Sequence, residues 1–175
     1  MSDATNQQYE QDVSNFKKIM PSLLDKGLDN INLSMFNEET KKTVLTLLGD
    51  EYARRGKLSE AMKAFVLSGN RDKLIKIGED YEVVGMFANA IDAYRLANST
   101  EKLTEAGNKC LEDGKLQDAI KAFRALNNTE ELVRVGEQCV TKSKWDYAIE
   151  VFSSINNREK LIEVGKHCLE DGQLG

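Results

Sequence analysis

Apolar residues recur along most of the chain at the three- and four-residue intervals of an amphipathic helix. One such stripe consists of Leu132, Val135, Gly136 and Cys139, and a second, further along, consists of Trp145, Ala148, Ile149 and Phe152. Side chains at this spacing lie on one face of an α-helix. The pattern predicts a hairpin of two helices, each about 12 residues long, the commonest helix length in globular proteins.

The same pattern returns every 29 residues. Four kinds of position carry the period: the glycines Gly49, Gly78, Gly107, Gly136 and Gly165; three residues later Tyr52, Tyr81, Cys110, Cys139 and Cys168; then Ala61, Ala90, Ala119 and Ala148; and finally the rings of Phe65, Tyr94, Phe123 and Phe152. A single short hairpin cannot bury both of its faces, whereas a stack of hairpins can. We therefore expect a linear array of helical hairpins.

Residues that start and stop helices recur at the same period. Short polar side chains that can cap a helix start precede the first helix of each hairpin: Asn70, Ser99, Asn128 and Asn157. Residues suited to a left-handed turn follow that helix: Gly56, Gly85, Gly114, Ser143 and Gly172. The hairpins are thus predicted to consist of a first helix, here called the A helix, and a second, the B helix.

The glycines within the A helices need an explanation, because glycine costs a helix interior about 1 kcal/mol relative to alanine. Close contact between the two helices of a hairpin supplies one. We expect these glycines and the alanines of the B helices to let the backbones approach, with the aromatic ring four residues after each alanine filling the adjoining space.

The pattern divides the chain into three parts. Residues 1–6 are polar and are expected to be disordered, and residues 7–36 are expected to form a helical cap in which Pro21 opens a second short segment. A separate binding element is the alternative for this cap. Residues 37–175 are expected to form the array, with four full repeats and the first helix of a fifth. The last residues look like a turn into a further helix, which suggests a fragment of a longer repeat protein.

Composition narrows the functional classes. The chain has 175 residues and a formal net charge of −5, which argues against a nucleic-acid partner because such proteins carry basic surfaces. It contains a single proline, which suits long helices, and no apolar stretch of membrane-spanning length. The amino terminus lacks a secretion signal, so we expect a cytoplasmic protein with reduced cysteines.

No motif nominates an active site. His167 and Cys168 are adjacent and so point in different directions on a helix, and the spacing of a zinc site or a nucleotide-binding loop does not occur. We expect no catalytic residue, cofactor or metal. Trp145 replaces Leu58, Phe87 and Leu116 at its repeat position and is predicted to be a core residue, whereas Tyr147 is a candidate surface contact.

The repeat resembles a known family. Leu48-Gly49, Tyr52, Ala61 and Phe65 are similar to the L-G-x-x-Y…A-x-x-x-F skeleton of the tetratricopeptide repeat, and the match recurs in the next three units. The resemblance implies an all-α fold, a right-handed superhelix (solenoid) of antiparallel hairpins. The period is 29 residues where the family has 34, and the family's closing proline is missing. Such short repeats also look like the solenoid arms of vesicle-coat and intraflagellar-transport subunits.

The resemblance also implies a binding surface, the concave face that the A helices form. Transferred residue by residue, the face comprises Asp72, Ile75, Glu79, Glu82, Glu101, Thr104, Asn108, Leu111, Glu130, Val133, Glu137, Val140 and Ile162. Apolar residues ringed by carboxylates suit a basic or amphipathic helical ligand. The alternative is that the apolar members only pack between neighbouring A helices. The acidic peptides bound by the chaperone-binding members of the family would be repelled.

The sequence therefore predicts a non-catalytic scaffold that binds a protein or peptide partner on this face. A structural segment of a larger coat or transport complex is the second interpretation, and a non-catalytic part of a longer multidomain enzyme is the third. Further repeats or domains after residue 175 would suit either of these.

Overall fold

A computed structural model describes residues 3–34, 36–170 and 172 of the chain. Its helices are α1 (Asp3–Lys26), a short 3-10 helix (Leu28–Asn30), α2 (Glu38–Arg54), α3 (Leu58–Ser68), α4 (Arg71–Val83), α5 (Phe87–Leu96), α6 (Thr100–Glu112), α7 (Leu116–Ala125), α8 (Thr129–Thr141), α9 (Trp145–Ser154) and α10 (Arg158–Glu170). No strand occurs in the described ranges. The predicted all-α class is confirmed.

The helix bounds follow the period of the sequence. The A helices α4, α6, α8 and α10 each have 13 residues, and their first residues are 29 apart. The B helices α5, α7 and α9 each have 10 residues and are spaced in the same way. The hairpin pattern read from the sequence thus appears in the secondary structure.

The chain forms two compact units. The first comprises Met1–Val84 with Leu96–Asn98, and the second comprises Gly85–Arg95 with Ser99–Gly175. In the first unit α2 packs against α1 and α3, and α3 packs against α4. The largest side chains fully buried in these helices are Tyr52, Phe65, Leu48, Ile77 and Tyr81.

Helix α1 differs from the prediction for the N-terminal segment. It begins at Asp3, within the residues expected to be disordered, and continues through Pro21 to Lys26 without a break. The expectation that Pro21 opens a separate segment is wrong. Proline forfeits one backbone hydrogen bond in a helix interior, but Phe16 and Leu24 on either side of it are buried, and this packing favours a continuous helix.

The second unit contains most of α5 and all of α6–α10. Neighbouring helices pack in chain order, α6 on α7, α7 on α8, α8 on α9 and α9 on α10. One hydrophobic core runs through the unit: Phe87, Cys110, Leu111, Leu116, Ala119, Ile120, Phe123, Leu132, Val135, Cys139, Trp145, Ala148, Val151, Phe152, Val164 and Cys168. The prediction that Trp145 is a core residue is confirmed, and the three cysteines are buried as well. Burial raises the pKa of the Cys139 thiol to about 11.

The predicted helix ends are also confirmed. The side chains of Asn70, Ser99, Asn128 and Asn157 each accept a hydrogen bond from the backbone N–H three residues later. The turn after each A helix contains a residue with positive φ, a glycine in most hairpins and Ser143 in one. A second set of left-handed residues, Asn98, Asn127 and Asn156, follows the B helices and was not predicted.

The in-helix glycines are sites of close helix contact, as expected. A Cβ placed on Gly49, Gly107 or Gly136 would lie 2.4, 2.8 or 2.6 Å from the ring of Phe65, Phe123 or Phe152, respectively. Real Cβ atoms do not approach other atoms this closely, so these rings fill the space that glycine leaves open. Gly165 in α10 is different, since a Cβ there would meet no atom of the described residues within 4 Å.

Candidate interaction surface

The thirteen residues predicted to bind a partner are distributed over the two units. Asp72, Ile75, Glu79 and Glu82 lie on α4 of the first unit, and the other nine lie on α6, α8 and α10 of the second.

In the first unit, a cleft of about 720 Å³ lies between α2 and the start of α4. Lys42, Thr46 and Leu47 line one side and Arg71 and Asp72 line the other. Asp72 is the single predicted residue in this cleft, and two cations accompany it. The cleft is therefore not the acidic surface that the sequence predicted.

In the second unit, most of the predicted residues do reach the surface. Glu101, Thr104, Glu130, Glu137 and Ile162 are exposed, and Asn108, Val133 and Val140 are partly exposed. We call these eight residues of α6, α8 and α10 the A-helix surface. Its character is mixed, with three exposed carboxylates beside aliphatic side chains.

Leu111 does not belong to this surface. Its side chain is 1% exposed and forms part of the core of the second unit. A partner could not contact it without opening the core, so its assignment as a binding residue is wrong. The position was transferred from a 34-residue repeat, and in α6 of this chain it is covered by the packing of the second unit.

The carboxylates of the A-helix surface have a structural role as well. Glu101 and Glu130 lie in the first turn of α6 and α8, as Asp72 does in α4 and Glu159 in α10. Acidic residues there interact favourably with the positive end of the helix dipole. Their 29-residue spacing follows from the helix starts, and a ligand is not needed to explain it.

Glu137 is already engaged within the unit. Its Oε1 lies 3.0 Å from Nζ of Lys160 on α10, and Lys160 also lies 3.1 Å from Oε2 of Glu163. The hydrogen bonds to Glu137 and Glu163 raise the pKa of the Lys160 ammonium. One of the three exposed carboxylates therefore contributes a link between α8 and α10 and is only partly available to a partner.

The apolar residues of the A-helix surface also differ in how far they are available to a partner. Val140 packs partly against the core, as the alternative interpretation predicted. Ile162, in contrast, is 61% exposed. Ile162 is therefore open to another molecule, and Val133 is partly so.

Sequence reasoning missed a set of polar links between the B helices. Lys121 Nζ of α7 lies 2.6 Å from Oδ2 of Asp92 on α5, and Arg124 Nη1 of α7 lies 2.5 Å from Oε1 of Glu150 on α9. A signal was present, because Asp92, Lys121 and Glu150 occupy one repeat position with alternating charge. These links connect successive B helices of the second unit.

Neither the protein-family models nor the curated proteins searched match the chain, so these comparisons assign it to no family. Within the described ranges, no group of three or more His, Cys, Asp or Glu side chains is arranged to hold a metal ion. None of the helices in those ranges combines the length and the apolar character that crossing a bilayer requires.

Proposed function

We propose that the protein is a non-catalytic, tetratricopeptide-like scaffold of the cytoplasm. Its ligand, on this proposal, is a basic or amphipathic helical segment of a partner protein. The segment binds the A-helix surface of the second unit, with Lys or Arg side chains near Glu101 and Glu130 and an apolar stripe over Val133 and Ile162.

One observation carries the proposal: exposed carboxylates recur at one position of successive A helices, and in α8 and α10 an aliphatic side chain, partly exposed Val133 or exposed Ile162, stands three residues after that position. Glu101, Glu130 and Ile162 are all exposed. A helix with cations beside an apolar stripe satisfies both features at once. The formal net charge of −5 would favour its approach from solution.

A designed probe tests the proposal without knowledge of the natural partner. The probe is a synthetic amphipathic peptide with a leucine stripe flanked by lysines, and its affinity is measured by isothermal titration at low and at physiological salt. We expect binding that weakens as salt rises, because exposed charges are screened within about 8 to 10 Å near physiological ionic strength. The double variant Glu101→Gln with Glu130→Gln should weaken it further.

A matched control distinguishes this surface from general attraction to an acidic protein. Asp118→Asn with Asp146→Asn removes the same number of charges from the first turns of α7 and α9. The control variant should bind the probe as the parent does. If both double variants lose affinity equally, the attraction is general and the A-helix surface is not the binding site.

The second candidate function is a structural segment of a larger assembly. It is favoured by Ile149, Ile162 and Leu169, large aliphatic side chains that remain exposed on the last two helices.

A further inference from the structure

Helices α9 and α10 are joined by a stack of two rings. The rings of Trp145, the first residue of α9, and His167 of α10 are 5.9 Å apart between their centroids and 12° from parallel. Trp145 is 8% exposed, and His167 is partly exposed. They are the single tryptophan and the single histidine of the chain. The one histidine therefore lies against a buried indole.

The same two repeat positions are in contact two hairpins earlier in the second unit. Phe87 is the first residue of α5, and Nζ of Lys109 on α6 lies 5.2 Å from the centroid of its ring. Nζ of Lys115 lies 4.1 Å from the same centroid. An ammonium group within about 6 Å of a ring centroid is attracted to the face of the ring. His167 thus occupies, beside Trp145, the position at which Lys109 makes a cation–π contact.

The repeat shows which residue accompanies a ring. The first residue of the B helix and the residue 22 positions later form four pairs: Leu58 with Asp80, Phe87 with Lys109, Leu116 with Gln138, and Trp145 with His167. Leucine is paired with the acidic and the neutral residue, and an aromatic ring is paired with the lysine and the histidine. The face of a ring attracts a cation and repels a carboxylate. The pattern therefore groups His167 with the lysine.

We propose that the contact between α9 and α10 is a pH-sensitive device. With a neutral imidazole, the pair is an ordinary stack. Protonation of His167 places a positive charge against the indole, and the stack becomes a cation–π contact. Histidine is the side chain that ordinarily changes its charge between pH 5 and 8. Because the ring favours the protonated form in the folded chain, the added stability is present at acid pH and is lost as the pH rises.

Other charges on the packed helices also act on the imidazole. On α10 they are Lys160, Glu163 and Lys166; beside Trp145 they are Lys144 and Asp146; and on α8, Glu137 reaches α10 through its ion pair with Lys160. Glu163 precedes His167 by one helical turn and favours a charged imidazole too, although it is already bound to Lys160. The experiment therefore has to separate the ring from this carboxylate.

The single tryptophan reports the contact directly. The fluorescence of the folded protein is recorded from pH 8 to pH 5. A charged imidazolium withdraws electrons from an excited indole more readily than a neutral imidazole does, so we expect the emission of Trp145 to fall as the pH is lowered. His167→Gln, which introduces the residue found at this position of α8, should remove the change.

A double-mutant cycle measures the coupling between the two side chains. The variants are Trp145→Leu, His167→Gln and both together, so each side chain is replaced by the one that the unit itself has at Leu116 or Gln138. In urea unfolding, the coupling factor in the equilibrium constant should be about two- to fivefold larger at pH 5 than at pH 8. His167→Lys should keep the coupling at both pH values. Trp145→Phe retains a ring and should keep the pH dependence.

Glu163→Gln distinguishes the ring from the carboxylate. In this background the coupling between Trp145 and His167 should still be larger at pH 5. Its disappearance would show that the carboxylate and not the ring responds to the charge, and the proposal would be wrong. Equal coupling at the two pH values in the parent would overturn it as well. So would a fluorescence change that His167→Gln leaves intact.

Discussion

Helices α8 and α10 have the same length and the same sequence register, yet they differ in their surroundings. Gly136 of α8 lies under the ring of Phe152, whereas among the residues that the structure describes no side chain covers Gly165 of α10. Val140 packs partly against the core, whereas the equivalent Leu169 is exposed. Glycine at this repeat position is therefore required by packing in α8. In α10 the same glycine is only a residue with low helix propensity.

Replacing Gly136 and Gly165 with leucine, one at a time, is the strongest test of this difference between α8 and α10. Gly136→Leu should lower the free energy of unfolding by about 3 kcal/mol, the upper end of the usual overpacking range, because the ring it displaces is fully buried. Gly165→Leu should cost nothing and could add up to about 1 kcal/mol, since leucine favours helices more than glycine does. Urea unfolding followed by circular dichroism measures both. Equal midpoints for the two variants would contradict the difference between the helices.

The cysteines of the same two helices should differ in reactivity. Cys139 has a pKa of about 11. At pH 8 its thiolate fraction is therefore about a hundredfold smaller than that of an ordinary cysteine. Its alkylation rate should rise with pH until that pKa is reached. Cys168 is also buried, but it lies on α10, where Leu169 is exposed. We expect local opening to be easier there, so Cys168 should react faster.

Single-cysteine variants, alkylated with iodoacetamide and analysed by mass spectrometry, give each rate. Cys110 serves as the control, since it is fully buried and its labelling should be as slow as that of Cys139. Faster labelling of Cys139 than of Cys168 would show that α10 is no more open than α8.

Removal of the helix caps gives a smaller effect. Asn128→Ala should cost about 1 kcal/mol of global stability, because the side chain accepts a hydrogen bond from the Glu131 backbone N–H. Asn157→Ala removes the equivalent bond from α10. Its effect should be confined to α10 and appear as faster hydrogen exchange there, with little change in the unfolding midpoint. A fall in midpoint as large as that of Asn128→Ala would show that α10 unfolds with the rest of the unit.

The smallest effect concerns the ion pair that joins the two helices. Glu137→Gln should cost less than about 1 kcal/mol, as is usual for pairs near the surface. The pKa of Lys160 is raised in the folded protein, so its stabilisation is present below the unfolded lysine value of about 10.4 and is lost as pH rises through the folded value. The parent and the variant should therefore become equally stable at high pH. A difference that persists there would assign the effect to something other than Lys160.

Much of this fold could be predicted because the repeat supplies the same information several times. The caps Asn70, Ser99 and Asn128 and the glycines paired with phenylalanine rings are short-range features that each repeat encodes in full. The prediction at Pro21 was wrong because the conformation there depends on packing against another helix and not on the local sequence. A proline is a local signal against a helix interior, and the burial of Phe16 and Leu24 that outweighs it depends on α2, which is distant in sequence.

The candidate surface was less predictable because exposure depends on neighbours. Leu111, Val140 and Leu169 share one repeat position, yet they are buried, partly buried and exposed, respectively. Nothing within a single repeat distinguishes them. Glu137 likewise looks available in the sequence, and only the position of Lys160 shows that it is paired.

The alternating charges on the B helices constrain how the array could change its length. Lys63, Asp92, Lys121 and Glu150 follow one another at 29-residue intervals, so the charge pattern itself repeats only every two hairpins. Loss of one hairpin, residues 100–128, would bring Asp92 beside Glu150. Two carboxylates would then face each other in place of the ion pair between Asp92 and Lys121. Duplication or loss of hairpins in pairs would keep opposite charges adjacent. The charge pattern thus favours growth of the array by an even number of hairpins.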